Sequence, residues 1–288
     1  MEASHVLVGT IYGSGERRFL SPAELVGRLA TDRFVLLGEK HDNPDHHRIQ
    51  AWLLAELVAA GRHPGLLMEM LAPEQIPELR RARRERPRDV DHLARAIGWE
   101  ASGWPEFRLY RPIFEIAVSA DLSVGSANLS REERRGLRER GLEALETAFV
   151  LRFGLDEPLP PAVHDALAQE IRDAHCGYAP ERAIERMILV QRARDARMAE
   201  VLLDLPDGDP GVLLAGGGHA RRKGGVPVAL AREADPERIV SVGLLEVERG
   251  ETDPQAYLRG SFDYLWFTPR LDALDPCEKF REKLKQMR

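Results

Sequence analysis

Two short segments concentrate the groups that do chemistry, Gly38-Glu39-Lys40-His41 and Gly216-Gly217-Gly218-His219. Between them stand Glu69, after Gly65-Leu66-Leu67-Met68, and Asn128, after Ser126-Ala127. Each has an ordinary explanation: Glu39 caps the next turn, Asn128 makes a turn, and His219 is a satisfied loop histidine. Their common placement is harder to dismiss. All four follow or end runs that read as β-strands, and open parallel sheets bind ligands beyond the carboxyl ends of their strands. Glu69 ends a run that reads as buried on both faces, where a carboxylate needs a partner or a ligand. Glycines 216 to 218 let the backbone approach a ligand closely, or simply make a tight turn.

His41-Asp42-Asn43-Pro44-Asp45-His46-His47 adds three imidazoles and two carboxylates at a loop-to-helix junction. His46 falls in the first helical turn, where the positive end of the helix dipole disfavours imidazolium and keeps a lone pair available to a metal. One of His46 and His47 is expected to face solvent. The spacing is not that of a His-Glu-x-x-His zinc helix, and no dinucleotide fingerprint, Walker loop or Gly-x-Ser-x-Gly elbow is present. Metal-dependent hydrolysis fits these residues: a divalent ion on His41, His219 and Glu39, with Glu39 or Glu69 as general base toward its water.

The elements that must position these groups read as α/β: a mostly parallel central sheet with helices on both faces and an inserted helical subdomain. Strands are expected over Phe34 to Gly38, Gly65 to Met70, Leu122 to Ala127, Gly211 to Ala215 and Arg238 to Val247, with Asp263 to Thr268 at an edge. Ile49, Trp52, Leu53, Leu57 and Val58 recur at helical spacing after a well-marked start, with Asn43 as cap, Pro44 at the first position and Asp45 complementing the dipole. A single domain over 1–288 is expected, with helical insertions roughly over 73–120 and 130–205.

With 41 basic and 47 acidic side chains among 288 residues, the net charge of −6 argues against nucleic acid or an anionic membrane as partner. The arginines at 80, 81, 83, 84, 86 and 88 are interrupted by Glu85 and Asp89 and read as a solvated helix face. No apolar run is long enough to span a membrane, and no export signal opens the sequence, so a cytoplasmic location is expected. Cys176 and Cys277 form no Cys-x-x-Cys pattern. That excludes zinc ribbons and covalent c-type haem attachment, and suits unpaired thiols in a reduced compartment.

Taken together, several segments resemble the ChaN-like proteins of the haem-binding uptake and Tiki superfamily. They are Leu37-Gly38-Glu39-Lys40-His41-Asp42-Asn43-Pro44-Asp45-His46-His47 with Gln50, Met68-Glu69-Met70, Tyr110-Arg111-Pro112, Ser126-Ala127-Asn128, Gly217-Gly218-His219-Ala220 and Asp263-Tyr264-Leu265-Trp266-Phe267-Thr268. Met187, Gln191, Asp195 and Met198 also match. The resemblance implies haem as cofactor, a role in haem or iron uptake, and a possible homodimer holding haem at its interface. Lipoprotein relatives carry an anchoring cysteine near the start, which this sequence lacks, favouring intracellular haem handling. The remoter Tiki and TraB relatives imply the divalent-metal hydrolase instead. A haem-binding chain needs an axial His or Tyr and an apolar slot. His41, His46, Tyr110, His175, Tyr178 and His219 are the candidate ligands, with Asn128 beside them. Phe107, Phe114, Met187 and Met198 either line the slot or pack the core.

Overall fold

The aliphatic runs become strands of one eight-stranded sheet in a computed structural model that describes residues 1–206, 208–260, 262–272 and 277. In chain order they are β1 (Ile11–Gly13), β2 (Arg18–Leu20), β3 (Phe34–Glu39), β4 (Gly65–Met68), β5 (Val124–Ser126), β6 (Gly211–Gly216), β7 (Ile239–Glu246) and β8 (Tyr264–Thr268). The spatial order is β2-β1-β8-β7-β3-β6-β4-β5. From β8 to β5 every pairing is parallel, while β1 runs antiparallel to both β8 and β2. The expected mostly parallel sheet is therefore what forms. Two details differ. The β1–β2 hairpin has strands too short for alternation to show, and by pairing with β8 it converts the expected edge strand into an interior one.

The helices are α1 (Pro22–Leu29), α2 (Pro44–Ala59), α3 (Ile76–Glu85), α4 (Val90–Ala96), α5 (Phe107–Ser119), α6 (Arg131–Arg140), α7 (Thr147–Arg152), α8 (Pro161–Ala174), α9 (Glu181–Leu203), α10 (Gly217–Ala220) and α11 (Val226–Leu230). The chain forms two compact units, one of Met1–Asn128 with Arg197–Leu271, the other of Leu129–Ala196 with the segment from Asp272. The first contains the whole sheet. Period-2 alternation sends Val35 and Leu37 into a core shared with Leu53, Leu54 and Leu57 of α2 and Ile113 and Phe114 of α5. Gly38 shares the other face with Phe34 and Leu36 and lies against α10, so closely that a Cβ there would stand 2.9 Å from Ala220 Cβ.

Phe107 and Phe114 belong to an aromatic cluster around the buried Trp99, with ring centroids 5.5 and 5.9 Å away. They pack core rather than line an open slot, and Met198 is likewise fully buried. Met187 packs in the second unit beside Leu167, Ile184 and Ile188. The arginine run forms local ion pairs, Arg81 with Glu78 and Glu85 and Arg86 with Asp89, as a solvated face would. Among the described residues no helix is long and apolar enough to cross a membrane.

The cysteines correct an expectation. Cys176 and Cys277, 101 residues apart, form a disulfide within the second unit. So long a spacing carries no local motif, which is why the sequence reads as two thiols. Titration of the denatured, unreduced protein should find no free thiol. Cys176→Ser should lower the unfolding free energy of the second unit by at most about 5 kcal/mol, the loop-closure limit for a bridge of this span. Two thiols titrating before reduction would contradict the pairing.

Candidate functional site

Parallel pairing brings the strand-end groups of the first unit to one edge. Glu39 pairs with Gly216 across β3 and β6, so the loop bearing His41 and the short helix α10 bearing His219 leave the sheet side by side. Glu69 follows β4 and Asn128 follows β5, while Glu246 ends β7 and Thr268 ends β8.

The Glu39 side chain is completely buried. Its Oε1 accepts from His41 Nδ1 at 2.8 Å and from the Tyr110 hydroxyl at 3.0 Å. Its Oε2 stands 3.2 Å from His47 Nδ1, an ion-pair contact. Burial alone would raise the Glu39 pKa, but the contacts with His41 and His47 outweigh it and hold the carboxyl at about 2.

His47 meets only acceptors. Its Nε2 lies 2.9 Å from the His41 carbonyl oxygen, and its Nδ1 is 3.2 Å from both Gln50 Oε1 and Glu39 Oε2. Satisfying both nitrogens takes two protons, so His47 is an imidazolium. Burial opposes that charge, but the Glu39 contact prevails and raises the pKa.

His46 is the opposite case. Its Nδ1 accepts the Lys40 amide at 2.9 Å, which leaves Nε2–H to donate to Thr268 Oγ1 at 2.9 Å. It is neutral, with burial driving its pKa down to about 3. Both ring nitrogens are therefore engaged, and the expected lone pair for a metal is already used. Neither His46 nor His47 faces solvent, contrary to expectation, because Asn43 caps α2 as predicted and turns its first residues inward.

His41 alone among these imidazoles is substantially exposed, with 33% of its side chain accessible. Glu39 holds Nδ1, Nε2 lies 3.8 Å from Glu69 Oε2, and the Trp104 ring meets the imidazole edge-on at 4.8 Å. Glu69 Oε2 accepts the Gly216 amide at 2.6 Å, and Oε1 lies 3.7 Å from His219 Nε2. Asn128 donates to the Glu69 carbonyl at 2.8 Å, fixing that strand end. Any side chain at 216 would intrude, since a Cβ would stand 3.0 Å from His41 Nε2.

Of the sequence-derived candidates, Glu39, His41, Glu69, Tyr110, Asn128 and His219 form this one network. His175 and Tyr178 lie in the second unit, beyond α8, where His175 Nδ1 donates to the Ile171 carbonyl at 2.7 Å. Trp104 and Glu246 were assigned no role from sequence. Glu246 accepts from Lys40 Nζ at 3.0 Å and Asn43 Nδ2 at 2.8 Å, latching the loop after β3. Its signal was available, as another polar strand end. Among the described residues no group of three or more His, Cys, Asp or Glu side chains is disposed to hold a metal ion. The divalent site expected on His41, His219 and Glu39 gains no support, because both Glu39 oxygens turn inward to His41, Tyr110 and His47.

Acidification removes stability from this network in two stages. His46 has a depressed folded pKa, so its contribution is present above pH 6.5 and lost as pH falls toward 3. Glu39, also depressed, adds its loss as pH falls from 4.5 toward 2. His47 has the opposite sign: with a raised folded pKa its contribution is full below 6.5 and fades on the alkaline side. Thermal midpoints should drop from pH 6.5 downward, and His46→Gln should flatten the slope between 6.5 and 4.5. An identical slope in that variant would refute the neutral, buried assignment of His46.

One solved structure agrees with this architecture. A solved structure of ChaN from Campylobacter jejuni, described as showing cofacial haem binding, superposes with a TM-score of 0.70 at 23% identity, covering 89% of this chain and 95% of that one. The type III effector HopBA1 matches with a TM-score of 0.45 at 14% identity over 85% of this chain and 91% of its own. No curated protein matches the sequence. The family model described as haem-binding uptake, Tiki superfamily, ChaN matches residues 25–230, and the chain belongs to that family.

Proposed function

We propose that the chain binds haem through His41, within haem or iron uptake. The observation that carries the reading is an imidazole one-third exposed whose other nitrogen is held by a buried carboxylate. A carboxylate behind a ligating histidine fixes the tautomer and raises its basicity. Bound haem supplies an iron centre that takes an axial ligand of this kind.

The other candidates of the first unit fit less well. Tyr110 is buried, its hydroxyl proton is committed to Glu39, and burial with the Glu39 charge pushes its pKa upward, away from the tyrosinate that iron prefers. His46 has both nitrogens engaged, and His219 is only 4% exposed. In this reading Tyr110, His47 and Gln50 hold Glu39 and thereby aim His41. A ligand on an exposed imidazole presents its far face outward, where a second copy of the chain would cover it. The disulfide suits an oxidising compartment better than the cytoplasm.

One observation favours a second reading. A carboxylate-oriented His41 with Glu69 3.8 Å from Nε2 is also a general-base arrangement, which needs no metal ligand set. Hydrolysis of an ester probe that survives chelator and vanishes in His41→Ala would support it.

Hemin titration tests the main proposal. The wild type should give a saturable, shifted Soret band. His41→Ala should abolish the shift, while Tyr110→Phe should keep it and lose about 1–3 kcal/mol of stability with its buried hydrogen bond. A Soret shift that survives in His41→Ala and disappears in Tyr110→Phe would reverse the ligand assignment.

A further inference from the structure

Trp104 packs partly against the main core and partly against the ring of His41. It stands on the short segment before α5, half-buried, with its ring edge-on to the exposed imidazole of His41 at 4.8 Å and an interplanar angle of 67°. The segment is stapled around the buried Trp99. Trp99 Nε1 donates to the Pro105 carbonyl at 2.9 Å, Ser102 Oγ donates to the Trp99 carbonyl at 2.6 Å, and the Trp104 amide donates to Ser102 Oγ at 3.3 Å. Gly103 supplies the turn with φ +85°. Three hydrogen bonds and a left-handed glycine thus hold a large amphipathic ring half out of the core, beside the one accessible imidazole of the network. Indole is a rigid, broad π surface, suited to binding flat aromatic molecules by stacking.

We propose that Trp104 is the specificity-determining wall of this site, stacking on a flat aromatic macrocycle held at His41. The inference rests on the haem reading and extends it. Affinity then divides between a stacking part, carried by Trp104 and indifferent to iron, and a ligation part, carried by His41. The segment bearing Trp104 continues directly into α5, whose Tyr110 holds Glu39, so wall and ligand are fixed to one another through the same stretch of chain.

Metal-free protoporphyrin IX separates the two parts, since it can stack and cannot ligate. Binding of protoporphyrin IX and of hemin should be measured with the wild type, Trp104→Phe, Trp104→Leu, Trp104→Ala and His41→Ala, with far-UV circular dichroism confirming each fold. Trp104→Ala and Trp104→Leu should weaken protoporphyrin IX binding about tenfold, the upper range for one aromatic contact, and Trp104→Phe should restore most of it. His41→Ala should remove the hemin Soret shift, whereas Trp104→Phe should keep it. Trp104→Leu keeps an apolar side chain without a π face, so a purely structural role predicts normal binding there. The proposal is overturned if Trp104→Leu binds protoporphyrin IX like the wild type, or if the wild type binds hemin and not protoporphyrin IX, outcomes that leave haem binding itself intact. Failure of the wild type to bind either porphyrin would remove both readings.

Discussion

The site depends on one buried ion pair. Glu39 lies at the end of β3, the strand with neighbours on both sides in the middle of the parallel sheet, and has no access to water. A carboxylate there is tolerable only beside an opposite charge, because an isolated buried charge is far too costly, and Oε2, which has no hydrogen bond, relies on that charge. His47 provides the opposite charge from the first turn of α2, and Tyr110 provides a hydroxyl from α5. The remaining acceptor capacity on Oε1 goes to His41. Two helices and the loop after β3 are thereby referred to a single carboxylate, and the exposed imidazole inherits its orientation from that arrangement.

Three neighbouring histidines thus acquire three different characters from their surroundings. His46 is neutral because a backbone N–H occupies one nitrogen. His47 is cationic because both of its nitrogens meet acceptors. Glu39 holds Nδ1 of His41, and a third of the His41 side chain is exposed. Residue type in the motif announces imidazole chemistry. Only the contacts decide which imidazole is structural and which faces a ligand.

That distinction marks how far the sequence was readable. The parallel strands were legible because their apolar runs are continuous and bounded by helical periodicity, and the cap at Asn43 was legible because Asn-Pro-Asp is local chemistry. The strand-end rule also located Glu39, Glu69, Asn128 and His219 at one edge. What it could not supply was non-local. β8 became interior only because a three-residue strand from the far N-terminus pairs with it, and Cys176 found its partner 101 residues away. Trp104 escaped notice for the same reason: nothing in its own segment refers to His41. The metal reading of His46 failed on a main-chain donor, Lys40 N–H, which no side-chain pattern reveals.

The glycines on this edge complete the constraint. Gly38 leaves room for α10 to lie against β3, and Gly216 leaves room for the His41 ring next to β6. A side chain at 38 would push α10 and His219 away, and one at 216 would displace the imidazole from Glu39. The polar network needs α10 and the His41 ring to approach the strands more closely than side chains allow, so these glycine-rich segments are what makes the site rigid. Rigidity here is bought from the sheet, whose paired backbones fix Glu39 opposite Gly216 before any side chain is placed. A ligand meeting His41 therefore meets a group whose orientation was set by the fold, and little ordering entropy is left for binding to overcome.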